Sequence, residues 1–449
     1  MSKTISLAYG RSNITCNIDN GREINVLRAA NWKGDSPANG KPVDESAIIA
    51  AALAAPIGSP RLSELARGKK KVVVITSDHT RPTPSRLTLP PMLKEIRDGS
   101  PGADITVLIA VGSHRPTTRE EMAEKFGADF VAREKIINHD PHDASGLVCL
   151  GRLPSGGELV LNRQAVEADL LAADGFIEPH QFAGFSGGRK SVLPGIAGLG
   201  TVLASHNSEF TMHPKARPGV LKGNPFQADM LHAARAAGLA FIVNVTLTPD
   251  QADDRQRVTN QGEPSARPRH RVEAAFAGEM EAAHLAGCEH VLRRCGVKAV
   301  PAPVVVTGNG GYPLDQNIYQ STKSLMAADL CCEEGGVIIS VNECGDGHGA
   351  DAFHRDFKNA GSLETLLDEI QSRGRADTRP DQWVTQLTAG ILKRRKVIAV
   401  SGASPELIRS FGMIPAPYLG AALKMADEMT GRPGGPITVL PEAVALVIQ

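Results

Sequence analysis

The stretch from Glu178 to Gly198 combines residue types that could do chemistry. It reads E-P-H-Q-F-A-G-F-S-G-G-R-K-S-V-L-P-G-I-A-G and contains five glycines. Glycines let a backbone approach a ligand closely and turn N–H groups toward an anion, so the S-G-G-R-K run at 186–190 predicts a phosphate contact at Ser186, Gly187 and Gly188. The alternative is a Gly-rich turn followed by a solvated Arg-Lys pair. The run is not a Walker motif, because its glycines lack the four-residue gap.

Two histidines flank this stretch. His180 lies ten residues before Lys190, and His206 lies sixteen residues after it. A titratable imidazole, a lysine amine and a second imidazole within so short a span can together form an active site.

Two further polar loops each follow an apolar, β-branched run that predicts a buried parallel strand. The first loop, S-D-H-T-R-P at 77–82, carries Arg81, and the second, G-S-H-R-P at 112–116, carries His114. Ligands of open α/β sheets bind at the carboxyl ends of the strands, where these loops should meet. Arg81 offers a guanidinium fork for a carboxylate or phosphate. A lone loop histidine such as His114 is more often inert than catalytic.

A similar loop follows a strand in the second half of the chain. It reads G-G-Y-P-L-D-Q-N-I-Y-Q-S-T-K at 310–323 and leads into a predicted helix. Gln320 and Lys323 are three residues apart and should share one face of that helix, directed at a cleft between two domains. A pair on the protein surface is the alternative. Trp383 lies on the amphipathic stretch 382–393.

The alternation of apolar runs, polar loops and helical stretches predicts an α/β fold with two α/β domains, largely parallel sheets and an active site in the interdomain cleft. We expect an N-terminal domain at 1–292, with the cofactor attachment and the acid/base histidines, and a C-terminal domain at 293–449, which contributes substrate-binding residues. Local patterns also predict a hairpin within 1–30. Predicted helices lie near 165–172, from 272 to 292, and after an opening Pro90-Pro91 pair.

The balanced charge of the chain argues against nucleic acid and anionic membranes as partners. The chain has 449 residues, and its 49 Lys and Arg balance its 49 Asp and Glu, so no net charge steers it to nucleic acid or an anionic membrane. No run approaches the roughly 20 apolar residues of a membrane span, and the first residues lack a signal-peptide core, so we expect a cytoplasmic protein. Its seven scattered cysteines predict reduced thiols.

Two polar segments leave alternatives open. The segment I-I-N-H-D-P-H-D at 136–143 has metal-ligand residue types but is also typical of a polar connection. The segment 248–270 is rich in arginine and proline, which indicates a long loop. A solvated insertion explains it more simply than an arm that binds nucleic acid.

Taken in order, five features resemble the nickel-dependent lactate racemase family over nearly the whole chain. They are the loops at 77–82, 112–116 and 310–323, the segment H-Q-F-A-G-F-S-G-G-R-K at 180–190, and His206. The segment 248–270 departs from the family pattern.

The resemblance implies a nickel pincer cofactor, pyridinium-3,5-bisthiocarboxylic acid mononucleotide, which separate biosynthesis proteins make and which is linked to Lys190. It also implies His206 as the nickel ligand, and His114 and His180 as the acid/base pair. Further cofactor-binding positions are Asp78, Thr80, Ser186, Gly187, Gly188 and Trp383. Substrate-binding positions are Arg81, Tyr319, Gln320 and Lys323.

This resemblance implies inversion at C2 of a 2-hydroxyacid by proton-coupled hydride transfer through a 2-keto acid. One alternative is an NAD-dependent 2-hydroxyacid dehydrogenase, although no G-x-G-x-x-G motif follows an early strand. Another is a nickel- or cofactor-binding protein without catalysis, suggested by thirteen histidines. The particular hydroxyacid and the oligomeric state stay open.

Overall fold

The computed structural model describes residues 3–18, 21–29, 44–249 and 270–449. The chain forms two compact units. Unit 1 comprises Met1–Trp32, His206–Val220 and Leu292–Gln449, and unit 2 comprises Lys33–Ser205 and Leu221–Val291. The change of unit at Leu292 falls where the sequence predicted a domain boundary, whereas two earlier segments belong to the same unit as the C-terminal segment.

The strands are β1 (Lys3–Tyr9), β2 (Ser12–Ile18), β3 (Ile24–Val26), β4 (Lys71–Ser77), β5 (Asp104–Ala110), β6 (Lys135–Asn138), β7 (Leu147–Arg152), β8 (Glu158–Asn162), β9 (Leu170–Phe176), β10 (Pro179–His180), β11 (Gly184–Phe185), β12 (Leu239–Pro249), β13 (His270–Glu279), β14 (Gly296–Val297), β15 (Ala302–Thr307), β16 (Cys332–Val341), β17 (Lys396–Val400), β18 (Ile414–Ala416), β19 (Ile437–Leu440) and β20 (Val447–Ile448).

The helices are α1 (Glu45–Ala54), α2 (Leu62–Leu65), α3 (Ser85–Gly99), α4 (Arg119–Phe126), α5 (Ala128–Arg133), α6 (Arg163–Val166), α7 (Leu199–Ser205), α8 (Ser208–Thr211), α9 (Pro225–Ala236), α10 (Met280–Cys295), α11 (Ile318–Asp329), α12 (Asp351–Asn359), α13 (Leu363–Ser372), α14 (Gln382–Arg394), α15 (Pro405–Ser410) and α16 (Leu419–Thr430). Short 3₁₀ turns occur at Ala144–Gly146, Gly188–Ser191, Arg375–Asp377 and Ala443–Ala445.

Unit 2 is built on a six-stranded sheet in the order β13-β12-β9-β4-β5-β6. The strands β4, β5, β6, β9 and β12 pair in parallel, and the edge strand β13 runs antiparallel to β12. Ser77 at the end of β4 pairs with Ala110 at the end of β5, so the polar loops that follow these strands start side by side. The predicted proximity of the two loops is confirmed.

Three local predictions in unit 2 were wrong. The stretch near 165–172 holds only the short α6, and then β9, whose seven residues are all buried in the sheet. The stretch from 272 begins as β13, because pairing with β12 outweighs the helix propensity of its alanines and glutamates. Helix α3 starts at Ser85, so Pro90 and Pro91 lie inside it instead of opening it.

Unit 1 has a six-stranded, all-parallel sheet in the order β18-β17-β16-β15-β19-β3. Alternate residues of β15 enter different cores: Val305 packs with residues of α11, α13 and α14, whereas Val304 and Val306 pack with residues of α16 and the β1-β2 hairpin. Both faces of this sheet are therefore covered, as is typical of parallel sheets. The predicted N-terminal hairpin is confirmed.

Much of the polar segment predicted at 248–270 lies outside the described residues, which stop at 249 and resume at 270. Among the described helices, none is long and apolar enough to cross a membrane.

Candidate active site

The loops after β4 and β5 of unit 2 join through a carboxylate and an imidazole. Asp78 Oδ2 lies 2.6 Å from His114 Nδ1, and the Asp78 side chain is almost fully buried whereas that of His114 is 43% exposed. Burial alone would raise the pKa of Asp78, but hydrogen bonds from His114 and Thr80 and the charge of Arg81 outweigh it and lower this pKa. The ionised carboxylate accepts a hydrogen bond from the Nδ1–H group of His114. In this tautomer the neutral imidazole has its lone pair on Nε2.

Thr80 completes the environment of Asp78. Its backbone N–H and hydroxyl donate to Asp78 Oδ1 at 3.1 and 2.7 Å, which forms a compact turn. Arg81, the next residue, is exposed, and Lys125 Nζ donates to its carbonyl oxygen at 2.9 Å. Lys125 lies on α4, which begins with a capping box between Thr118 and Glu121.

His79 adds a second link between the same two loops, which the sequence analysis did not predict. Its Nδ1 lies 3.2 Å from the Thr117 hydroxyl and 3.7 Å from Glu121. Glu121 also binds Arg115 and the Thr118 amide. His114 is therefore presented by a loop that is fixed on both sides.

His180 and Lys190 form the second pair of unit 2. Lys190 Nζ lies 3.1 Å from His180 Nε2, while His180 Nδ1 faces the backbone N–H of Ala183 at 3.3 Å. The short β10-β11 pairing, which joins His180 to Gly184, holds this turn. Burial, followed by the charges of Arg189 and Arg81, lowers the pKa of Lys190 far below its usual range, against the opposing effect of Glu178. These surroundings disfavour the charged form of the Lys190 amine.

The loop before Lys190 has a backbone that only glycine adopts readily. Gly187 has φ +76° and ψ −175°, and a Cβ there would lie 2.6 Å from Asn244 Oδ1 and 2.8 Å from the Phe176 carbonyl oxygen. A Cβ on Gly188 would lie 2.7 Å from the ring of His284. The Gly188 N–H donates to Asn244 Oδ1 at 2.7 Å, so this amide is engaged within the protein.

Ser186 is also engaged within the loop. Its hydroxyl accepts from the Glu178 amide at 2.9 Å and donates to the Phe176 carbonyl at 3.1 Å. The cofactor-binding roles of Ser186, Gly187 and Gly188 stay predictions. The structure shows that these residues give the loop its shape.

Arg189 points inward, unlike the solvated or ligand-facing side chain that the sequence suggested. It is 1% exposed, and its guanidinium donates to the carbonyl oxygens of Ala183 and Phe185 at 2.7 and 3.0 Å and to Gln227 Oε1 at 2.5 Å. It forms no ion pair within the described part of the chain. Burial lowers the pKa of Arg189 to about 10, which leaves it charged at neutral pH. Arg189 therefore fixes the turn between His180 and Lys190.

Asn244 and His284 support the same loop from β12 and α10. His284 Nε2 lies 3.0 Å from Arg189 Nη1, and burial, followed by the charge of Arg189, lowers the pKa of His284 to about 3. Sequence reasoning missed both residues. A polar residue inside the apolar run A-F-I-V-N-V was the available sign for Asn244, while nothing around His284 distinguished it.

His206 and Trp383, two of the predicted residues, meet in unit 1. Their ring centroids are 5.0 Å apart, and His206 is buried. His206 follows α7, and the next residue, Asn207, caps α8 by accepting from the Phe210 amide at 2.9 Å. Trp383 lies in the first turn of α14, as predicted. Within the described ranges, no group of three or more His, Cys, Asp or Glu could hold a metal ion.

The predicted substrate-binding residues of unit 1 lie at the start of α11. Asn317 caps this helix by accepting from the Gln320 amide at 3.0 Å. Gln320 and Lys323 are partly exposed on the helix, next to the buried Ser321 and Thr322. The predicted helix is thus confirmed, whereas the binding role stays a prediction.

Tyr319 reaches away from this face toward the start of α14. Its hydroxyl donates to Asp381 Oδ1 at 2.9 Å. Burial, followed by the charge of Asp381, raises the pKa of Tyr319 far above its usual range. Asp381 has φ +64° and directly precedes α14, so this bond supports the turn that leads to Trp383.

Asp315 organises the loop before α11, although the sequence reasoning assigned it no role. Its buried carboxylate accepts from the amides of Gly10 and Glu343 at 2.7 and 3.1 Å. It therefore joins the hairpin turn, the loop after β15 and the loop after β16 within unit 1. A charged residue inside a Gly- and Pro-rich loop was the only sign of it.

Comparison with known proteins gives matches over most of the chain. Residues 9–219 match the family model of the lactate racemase N-terminal domain, and residues 297–448 match that of the lactate racemase C-terminal domain. The lactate racemase of Thermoanaerobacterium thermosaccharolyticum is 46% identical over 446 residues, and that of Lactiplantibacillus plantarum is 41% identical over 448 residues. Each alignment covers 99% of both chains.

Two solved structures also match this chain over nearly its full length. The lactate racemase apoprotein of T. thermosaccharolyticum superposes with a TM-score of 0.89 at 46% identity, and the match covers 100% of both chains. A Thermotoga maritima protein shares the fold at a TM-score of 0.59 and 17% identity, over 91% of this chain and 99% of its own. The full-length identity and the two domain matches show that this chain belongs to the lactate racemase family.

Proposed function

We propose that this racemase inverts C2 of 2-hydroxyacids, the class that includes lactate. Family membership makes the chain an isomerase, and one observation carries the proposal further. His114 and His180 are held so that their Nε2 atoms differ: a carboxylate fixes Nδ1 of His114, and a backbone N–H fixes Nδ1 of His180. One imidazole therefore presents a lone pair and the other an N–H, as an acid/base pair requires.

In this proposal, the two histidines handle the proton of the substrate hydroxyl. Nε2 of His114 takes the proton from one enantiomer, and the Nε2 proton of His180 returns to the oxygen when the other enantiomer forms. Reversal of these roles serves the opposite direction. Asp78 acts through His114, because its carboxylate stabilises the imidazolium that forms.

We assign the binding of the substrate to Arg81, Gln320 and Lys323, while Tyr319 supports the turn before α14 through its bond to Asp381. The exposed Arg81 guanidinium offers two parallel hydrogen bonds to a carboxylate, and Lys323 adds a point charge. Gln320 lies one turn before Lys323 and can donate to or accept from a hydroxyl group.

The residues fit the nickel pincer nucleotide that the family resemblance implies. Lys190 offers an amine whose charged form is disfavoured by burial and by the charges of Arg189 and Arg81, which suits a covalent bond. The turn at Gly187 and Gly188, which directly precedes Arg189 and Lys190, leaves room for a close approach of the backbone to a ligand. The buried imidazole of His206, with Trp383 beside it, is a donor that suits Ni²⁺. When bound, this group would supply the acceptor and donor for the hydrogen at C2. Biosynthesis proteins would deliver it in a transient encounter.

Activity of the cofactor-loaded protein tests the acid/base pair. With one lactate enantiomer as substrate, His114→Ala and His180→Ala should each lower kcat by about 100-fold or more in a chiral product assay. The exposed His232 on α9 provides a matched control, and His232→Ala should keep full activity. Full activity in both site variants would contradict the assignment.

Mass and metal analysis test the cofactor sites separately. In denatured holo-protein, Lys190→Ala should lack the cofactor mass that the wild-type chain carries. His206→Ala should keep that mass but lose nickel during dialysis, because the protein donor to the metal is missing. An adduct that persists in Lys190→Ala would place the attachment elsewhere.

A further inference from the structure

The contact between Lys190 and His180 defines which atom carries a proton. Backbone N–H groups of Ala183 and Phe182 point at His180 Nδ1 from 3.3 and 3.5 Å, so this nitrogen must act as the acceptor. A neutral imidazole then has its proton on Nε2, which lies 3.1 Å from Lys190 Nζ. A hydrogen bond from Nε2 needs a lone pair on Nζ, and an ammonium group has none. The geometry thus favours an uncharged lysine amine.

The charges around Lys190 favour the same state. The cations Arg189 and Arg81 both disfavour a further positive charge, and the carboxylate of Glu178 opposes them. Arg189 is held in place, because its guanidinium donates to carbonyl oxygens of the turn. Lys190 as a whole is partly exposed, while its amine lies among buried groups, where solvent screening of these charges is weak.

We propose that in the cofactor-free chain Lys190 is a reactive amine that condenses reversibly with small 2-oxo acids to form a Schiff base. An uncharged lysine amine is the nucleophile of this reaction, and His180 Nε2–H is in place to donate to the departing oxygen. The nearby Arg81 guanidinium selects for a carbonyl compound with a carboxylate. The condensation does not rest on the proposed racemase mechanism.

The step balances without a further reactant. The Nζ lone pair attacks the carbonyl carbon, the new C–N bond forms, and the π electrons of the carbonyl move to its oxygen. Nitrogen then loses its two protons, one after the other, and the oxygen leaves with two protons as water, with His180 as the proton relay. The products are an imine and water, and hydrolysis reverses the step.

One consequence does rest on the proposed function. If Lys190 is the attachment point of the cofactor, an imine at Nζ occupies the same nitrogen. A 2-oxo acid should therefore slow cofactor attachment in a competitive and reversible manner.

Reductive trapping tests the condensation. Cofactor-free protein is incubated at pH 7 with pyruvate and sodium cyanoborohydride, and its intact mass is recorded over time. We expect the mass of one carboxyethyl group to appear, and peptide mapping of the wild-type chain to place it on Lys190. Lys190→Ala should lose the fast labelling, while Lys94→Ala, which removes an exposed lysine paired with Asp98, should label like wild type.

Two further variants separate the contributions. His180→Asn should slow trapping by about tenfold or more, since it removes the imidazole that relays protons beside Lys190 Nζ. Arg81→Gln should slow the reaction with pyruvate more than the reaction with acetone, because acetone lacks the carboxylate that the guanidinium binds while the electrostatic effect of Arg81 on Lys190 applies to both. Circular dichroism confirms that each variant is folded.

Labelling spread over surface lysines, or no faster at Lys190 than at Lys94, would overturn the proposal, as would an equal rate with pyruvate and acetone in the wild-type chain. Because the readout needs no cofactor, failure here leaves the attachment of the cofactor to Lys190 to be judged by its own mass assay.

Discussion

His114 and His180 are the same residue type, in the same unit, placed in opposite electrostatic settings. His114 faces the carboxylate of Asp78, whereas His180 faces the amine of Lys190 and lies close to a turn held by the buried cation Arg189. The carboxylate draws the ring proton of His114 to Nδ1, and backbone donors leave the ring proton of His180 on Nε2. Identical side chains thereby present different Nε2 atoms, a lone pair on His114 and an N–H on His180, because their neighbours differ.

The largest expected effect comes from removal of the charge beside His114. Asp78→Asn should lower kcat by about 10²- to 10⁴-fold, because an amide can donate to Nδ1 and so favours the wrong tautomer. The comparison predicts that His180 keeps its setting, so trapping of Lys190 by pyruvate should stay as in wild type. Steady-state kinetics of the holo-enzyme provide the measurement.

Asp98→Asn is the control for this variant, since Asp98 is exposed and pairs with Lys94 on α3. Equal kcat values for Asp78→Asn and Asp98→Asn would mean that the carboxylate does not set the state of His114.

Weakening of the His180 side should affect the fold as well as the site. Arg189→Lys loses the planar fork that reaches two carbonyl oxygens and Gln227, so the free energy of unfolding should fall by about 3 kcal/mol. Urea unfolding of the cofactor-free protein measures this change.

Arg235→Lys is the matched control, because Arg235 forms an exposed pair with Glu281 and should change stability by less than about 1 kcal/mol. A similar small change in Arg189→Lys would show that the buried guanidinium does not hold the turn.

Two further histidines, His139 and His284, differ from His114 and His180 because burial itself disfavours their charged forms. Burial lowers the pKa of His139, whose Nε2 contacts the Ala197 carbonyl oxygen at 3.0 Å, and the pKa of His284 is lowered to about 3. Below the ordinary histidine pKa of about 6.5, the unfolded chain takes up protons that the folded chain does not. Stability is therefore complete above about pH 6.5 and falls as the pH drops below it.

The slope should reach about 1.4 kcal/mol per pH unit for His284, and His139 should add a contribution of the same sign. Urea midpoints at pH 7.5 and 5.5 measure it, and His139→Gln, which keeps an amide donor and acceptor but does not titrate, should show a shallower slope. An unchanged slope in this variant would exclude His139 as a source of the acid sensitivity.

The sequence was sufficient for the parts of the site that rest on local chemistry. Apolar β-branched runs indicated β4, β5 and β15, and polar loops directly after them indicated where Arg81, His114 and Gln320 would emerge, because parallel strands bring their carboxyl ends to one edge. The resemblance carried by five motifs indicated the family. These signals are read over a few residues and depend little on the rest of the chain.

The tertiary structure determined the contacts and the protonation states of these residues. The strand β9 was mistaken for a helix because a short apolar run has the same pattern in either state, and only its place between β4 and β12 resolves this. The inward turn of Arg189 depends on carbonyl oxygens gathered by a fold that pairs β10 with β11. The supports Asn244 and His284 come from more than 50 residues away in sequence. Protonation states follow from burial and from such distant neighbours, so a sequence can name the histidines and the lysine but cannot say which of them holds the proton.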